Sequence, residues 1–294
     1  MKNLIYLLLA LPLLFTSCSN EDMATSEESV QVSFCAEIPK PMGTRASSTL
    51  SVDKVYCAVF ENGVEITNLR QNIDIVESQS IIFAPRLIKG RTYDVVFWAM
   101  KEGSYNVDNL SQIYRVEGKP EVDYDAFTAT TNITVESSEI IAVTLTRPLA
   151  QLNIGVTEED WNAVVALGQT PASTSISYES YDAFNALTGG LTRNYRSITR
   201  TAPASGTFDV GSTTYKSLGS FYVFVDGTTE KSLSDIEFTI KDGSGKDIRS
   251  DVQIVHVPIQ RNYKTNIVGG LLTGSITYNI SLGEFADQDK NQTL

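Results

Sequence analysis

The side chains able to do chemistry in this chain are few. Its 294 residues include one histidine, His256, and three cysteines, Cys18, Cys35 and Cys57. Acyl transfer by a serine or cysteine needs a base within reach. His256 is the only imidazole, and it sits in an apolar alternation (Val252, Ile254, His256 against Val255, Val257) that predicts a structural, core-facing histidine. No G-x-S-x-G or H-E-x-x-H run occurs. Gly243-Ser244-Gly245-Lys246 lacks phosphate-loop spacing, and Asp247 stands where a Ser or Thr belongs, so a turn between strands is expected. Asp123 and Asp125 are the acids of a glycosidase pair or a calcium site, or else of an ordinary solvated loop. Asp287, Asp289 and Asn291 match the opening ligands of a calcium loop without its bend glycine or closing glutamate. The expectation is no catalytic residue, no metal and no cofactor.

What remains is chemistry done to the chain. Lys2 precedes an apolar run from Leu4 to Phe15, followed by Thr16-Ser17-Cys18. That layout predicts a secretory signal over 1–17, too short for a permanent membrane span. The small residue before Cys18 resembles the lipobox of bacterial lipoproteins, which implies diacylation of Cys18 and a stable two-chain anchor. Residues 18–29 are polar and acidic, an expected flexible tether. They resemble the signal that sends some Gram-negative lipoproteins to the outer face of the outer membrane. Cys35 and Cys57 are left as either a disulfide or two buried thiols.

The formal net charge is -12 and the pI about 4.6, which argues against nucleic acid as a partner. Tyr, Phe, Thr and Val are abundant, a strand-favouring composition. Val30, Val32, Phe34, Ala36 and Ile38 alternate with Gln31, Ser33, Cys35 and Glu37, a half-buried strand ended by Pro39 and Pro41. Further strands are predicted at 54–60, 72–76, 80–84, 92–99, 131–135 and 139–146, with turns at Asn62-Gly63 and Lys89-Gly90. Residues 101–130 are expected to be a connection with little regular structure. Arg147-Pro148 marks a boundary, after which Ala150, Leu152, Ile154 and Val156 begin a new alternation. Thr157 caps an expected helix over 157–167 with Asp160 at the capping-box position. Residues 188–215 read as surface loops, and strands resume at 174–179, 219–225, 235–241, 252–257, 262–268 and 275–282. In the last, Ile276, Tyr278, Ile280 and Leu282 share a face. The pattern predicts an all-β protein of two tandem antiparallel β-sandwich domains with one short helix, divided as 30–148 and 149–294.

Arg45 lies in an exposed, small-residue stretch, where proteases cut. Cutting the Arg45–Ala46 bond would remove the 30–38 strand. A sandwich that loses an edge strand exposes unpaired backbone and an apolar groove, which another subunit's strand can fill. Repeated head to tail, that contact builds a filament.

The chain resembles the fimbrillin family, the type V pilus subunits of Gram-negative outer membranes. The resemblance is carried by Thr16-Ser17-Cys18, the 30–38 strand, Thr44-Arg45-Ala46, the block Gly90 to Ala99, Arg147 to Asn153, and Arg261 to Ile267. It implies two transthyretin-like β-sandwich domains, a lipoprotein precursor in the outer membrane, and cleavage by an arginine-specific protease at Arg45–Ala46. It also implies strand exchange with other pilin subunits, with 275–282 as the donor candidate. The alternative is a surface lipoprotein that never polymerises and binds glycans or host proteins.

Overall fold

The computed structural model describes residues 27–39, 51–76, 80–274, 276–285 and 292–293. The chain folds as two β-sandwiches in series. In the first half the strands are β1 Ser29–Glu37, β2 Lys54–Glu61, β3 Val64–Glu65, β4 Gln71–Asp74, β5 Ile81–Phe83, β6 Arg86–Ile88 and β7 Thr92–Met100, followed by β8 Tyr105–Asn106, β9 Tyr114–Arg115, β10 Ala126–Thr134 and β11 Glu139–Thr144. In the second half β12 Leu149–Val156 leads into α1 Glu158–Ala166. Then come β13 Pro171–Asn185, β14 Gly190–Pro203, β15 Thr207–Val210, β16 Thr213–Phe224, β17 Lys231–Asp242, β18 Asp247–Ile259, β19 Tyr263–Gly270, β20 Thr277–Glu284 and β21 Gln292–Thr293.

The first sandwich faces β11-β1-β5, with β6 also on β1, against β10-β7-β2-β3, with β4 on β2. Between them lie Val32, Phe34, Phe83, Leu87 and Val143 from one sheet and Val55, Cys57, Val95, Phe97 and Phe127 from the other. The second sandwich faces β15-β16-β12-β19-β20-β21 against β14-β13-β17-β18. Ala150, Leu152, Ile154 and Val156, the expected apolar face of β12, all lie in its core. Pairing is antiparallel with one parallel pair in each half, β1 with β11 and β12 with β19. Both halves therefore set their first strand beside a late strand running the same way.

The expected turns form. Asn62 and Gly63 both take positive φ between β2 and β3, and Gly90 does so before β7. Thr157 caps α1 by accepting from the Asp160 amide at 3.2 Å. The Asp160 carboxylate goes elsewhere. It accepts from the amides of Leu271 and Leu272, each at 2.7 Å, and of Thr273 at 3.0 Å, so it ties the helix to the turn after β19.

Two segments depart from expectation. Residues 188–215 are strands, not loops: β14 is the outer strand of its sheet, and its exposed Ser, Thr and Arg side chains hide the alternation. β10 already begins at Ala126, while 101–125 hold little regular structure, as expected, and pack into a third core between the sandwiches. There Trp98 lies edge-on to Tyr105 at 5.4 Å and packs against Phe184 and Phe224 of the second half. This explains the unbroken apolar run in β7, which is buried on both faces.

The same junction buries charge. Arg115 donates to Glu121 at 3.0 Å and to the Tyr222 carbonyl, while Glu121 accepts from the Tyr222 amide at 3.3 Å. Burial pulls the Arg115 pKa down, but Glu121 together with Tyr105 and Tyr178 outweighs it and the net shift is upward. Asp125 is not a solvated acid: it is buried and accepts from Arg147 at 2.8 and 2.9 Å. The Arg147 guanidinium lies 4.4 Å from the Phe127 ring centre and 4.0 Å from that of Phe285.

Breaking a buried pair leaves an uncompensated charge. Arg115→Ala should therefore destabilise the protein by about 3–5 kcal/mol in urea unfolding. Arg86→Ala, at an exposed hydrogen bond, should change stability by no more than about 0.5 kcal/mol. Equal effects would contradict the role given to the buried pair.

Candidate strand-exchange site

The site is the place of β1. Val32, Phe34, Ala36 and Ile38 point into the core and are buried, and Val30 packs against it in part. Phe34 lies 6.1 Å from Phe83 and 5.9 Å from Phe97, and those two rings meet edge-on. Burying each such side chain contributes about 1.5–3 kcal/mol.

The strand is not at an edge, as the sequence suggested. Val32 to Glu37 pair in parallel with Glu139 to Thr144 on one side. Phe34 to Ala36 pair with Phe83 to Ile81, and Ser29 to Gln31 with Ile88 to Arg86, on the other. The expected tether ends earlier than residue 29, because Ser29 already belongs to β1. Glu27 and Glu28 just before it pair with Arg91 and Lys89.

Taking β1 out would leave a slot with backbone donors and acceptors on both walls and Phe83 and Phe97 on its floor. An edge strand would leave only one wall. The walls, β11 and β5–β6, were missed as site elements because sequence alternation reports which face is buried and not which strands are neighbours.

Of the donor candidates Tyr278, Ile280 and Leu282 lie on β20 and Ile276 just before it; β20 pairs antiparallel with β19 from Tyr263–Glu284 to Gly270–Thr277. Ile276 and Ile280 pack in part against the second core, and Tyr278 is exposed. β21 covers β20 only at Ser281 and Leu282, so the Thr277–Ile280 stretch has no strand beyond it among the described residues. Gly269 lets the two strands close: a Cβ there would sit 2.8 Å from the Tyr278 Cα.

Cys18, Arg45 and Ala46 lie outside the described residues, as do Asp287, Asp289 and Asn291. Cys35 and Cys57 are free thiols. Cys57 is buried among the core side chains, whereas Cys35 alternates with them and is half-buried. Among the described residues no group of three or more His, Cys, Asp or Glu could hold a metal ion, and no helix is long and apolar enough to cross a membrane.

His256 is exposed rather than in the core. Val252 and Ile254 are buried, then Val257 and Ile259, so the alternation slips by one residue where His256 takes φ 57°. Gly243 to Lys246 form the β17–β18 turn, closed by Asp242 accepting from the amides of Ser244 and Lys246.

Two β-sandwiches joined by a buried aromatic and ionic junction define the fold, and the comparisons bear on that fold. The chain belongs to a family of unknown function, DUF6562, whose model matches residues 24–293. No curated protein matches it. A solved structure from Bacteroides thetaiotaomicron, of the DUF1812 group and proposed to bind polysaccharide, is similar at 13% identity and a TM-score of 0.53, over 90% of this chain and all of that one. Similar structures also include fimbrial proteins of Porphyromonas gingivalis, the class that the sequence resembles. The fimbrial anchor protein Mfa2 has 10% identity and a TM-score of 0.46, over 86% of this chain and 97% of its own. The tip fimbrial protein Mfa3 has 13% identity and a TM-score of 0.47, over 87% and 99%.

Burial pushes the Cys57 thiol up to about 12 from 9.0. The neutral thiol is therefore favoured in the folded state, and the stability it lends is intact below pH 9.0 and lost as pH rises toward about 12. Iodoacetamide at pH 8 should label Cys35 and spare Cys57 until the protein is unfolded, as read by peptide mass mapping. Equal labelling of both in the native protein would contradict the placement of β2.

Proposed function

We propose that this chain is a non-enzymatic, fimbrial type of surface subunit, exported as a lipoprotein on Cys18 and held in the outer membrane. Cleavage after Arg45 then releases β1, and a strand from another pilin subunit takes its place, with 275–282 as the donor. On this reading the functional units are 30–148 and 149–294, and the product lies at the cell surface or in the fimbrium.

The observation that carries the reading is the position of β1. It is a strand with three buried apolar side chains, with Ile38 buried just past its end, it is paired on both sides, and it lies before the expected cut. Its loss would leave the facing sheet in place and open one slot between β11 and β5–β6. Cys35 is not bonded to Cys57, so nothing covalent retains the cut peptide through that pair.

A second reading is a surface lipoprotein that does not polymerise and binds glycans or host proteins. It is favoured by β20, which already lies against its own sheet with Ile276 and Ile280 partly buried. It also fits the fold shared with the Bacteroides thetaiotaomicron protein proposed to bind polysaccharide.

The N-terminus and intact mass of the protein from its own cells separate the two. A start at Ala46 with ladders in mild detergent is the expected result. A start at acylated Cys18 without ladders would remove polymerisation and leave the second reading.

A further inference from the structure

The β13–β14 hairpin carries features that its folding does not require. Tyr181 and Tyr195 oppose each other across the two strands, with ring centres 5.3 Å apart and planes at 72°. They are 42% and 62% exposed, although aromatic rings of this size are usually buried. Beside them the register shifts between Tyr181 and Ala183, and Arg193 in the opposing strand takes φ 75°. A long side chain in left-handed backbone is strained, and such strain gathers at functional positions.

The bulge has a built centre. Asp182 is buried and accepts from Arg193 Nε at 2.5 Å and from Arg196 Nε at 2.8 Å, and it also accepts from the Asn194 amide at 3.2 Å. Burial alone would raise its pKa, but the two arginines and the amide hold it well below the usual carboxylate range. Arg193 in turn lies over the Tyr114 ring at 4.2 Å. Asp182 and Arg196, the latter opposite Ser180, alternate onto the other face from Tyr181 and Tyr195, so the cluster anchors the bulge from behind the exposed rings.

Along the same face the register runs Tyr181–Tyr195, Glu179–Ser197, Ser177–Thr199, Ser175–Thr201. Six residues of strand cover roughly 20 Å, so the surface suits an extended chain rather than one small molecule. Its chemistry is flat aromatic at one end and hydroxylated along its length. Glu179 is the one charged side chain in these four pairs, on a protein whose net charge is -12. An anionic polymer gains nothing from such a face. A neutral sugar polymer fits it, because pyranose C–H faces stack on aromatic rings while sugar hydroxyls bond to the serine and threonine hydroxyl groups.

We infer that the outer face of the β13–β14 hairpin, centred on Tyr181 and Tyr195, is a binding site for a neutral polysaccharide. This rests on the glycan binding of the second reading above and is independent of strand exchange. Tyr181 and Tyr195 supply the stacking surface, and Asp182, bonded to Arg193 and Arg196, holds the bulge beside them from the opposite face.

The test is affinity electrophoresis of the purified protein through native gels holding mannan, dextran, laminarin or galactomannan, with dextran sulfate as the anionic comparison. The expected result is retardation by at least one neutral polysaccharide that added salt leaves unchanged. Tyr181→Ala/Tyr195→Ala should weaken it at least about tenfold, a loss of roughly 1.4 kcal/mol. Ser197→Arg, which removes no ring and adds bulk on the exposed face, should weaken it as well. Retardation by dextran sulfate alone, or by none of the gels, would overturn the inference. So would wild-type retardation of both variants, which would move glycan binding elsewhere while leaving the adhesive reading standing. Ladder formation by the same variants should be unchanged, so a failure of polymerisation is read separately.

Discussion

The pairing of β1 on both sides is the constraint on which the first sandwich depends. Its inward side chains complete an aromatic floor with Phe83 and Phe97, and its backbone joins β11 to β5 and β6. Without a strand in that place the sheet divides into two parts with no hydrogen bonds between them. The requirement is for alternating apolar side chains and an extended backbone, and it does not specify whose strand supplies them. That indifference is what makes a strand exchange physically reasonable here.

The junction between the sandwiches has the opposite character. Trp98, Tyr105, Phe184 and Phe224 interlock, and Arg115–Glu121 and Asp125–Arg147 satisfy their charges in buried geometry. A buried ion pair adds little net stability against an apolar replacement, yet each of its members is costly to strand. Such pairs favour one relative placement of the two halves. In a filament that would pass load from one sandwich to the next without a hinge at residues 147–148.

Much of the fold was legible in the sequence because its buried faces alternate. Val32, Phe34, Ala36 and Ile38, and Ala150 to Val156, are buried as their spacing indicates. The turn glycines and the Thr157 cap were equally plain. What was hidden shares one cause: position in a sheet is a long-range property. β1 looked like an edge strand because half its side chains are polar, though both of its edges are paired. β14 looked like a loop because its outward face is all hydroxyl and arginine. His256 looked buried because one left-handed residue is enough to shift the phase of a strand. Asp125 looked solvated because its partner, Arg147, is 22 residues away. The lipidation proposed at Cys18 and the cut proposed after Arg45 are read from sequence alone.

The central claim is that the place of β1 can be taken by a strand of another copy. Outward-facing Ala142 borders the slot beside Cys35, and Asn279 lies on the outward side of the donor candidate. One copy carrying Ala142→Cys and another carrying Asn279→Cys would be mixed, treated with an arginine-specific protease and oxidised. The account predicts a disulfide-linked dimer that forms only after cleavage at Arg45. No cross-link after cleavage, with Thr277→Cys and Ser281→Cys tried in turn to allow for register, would contradict it.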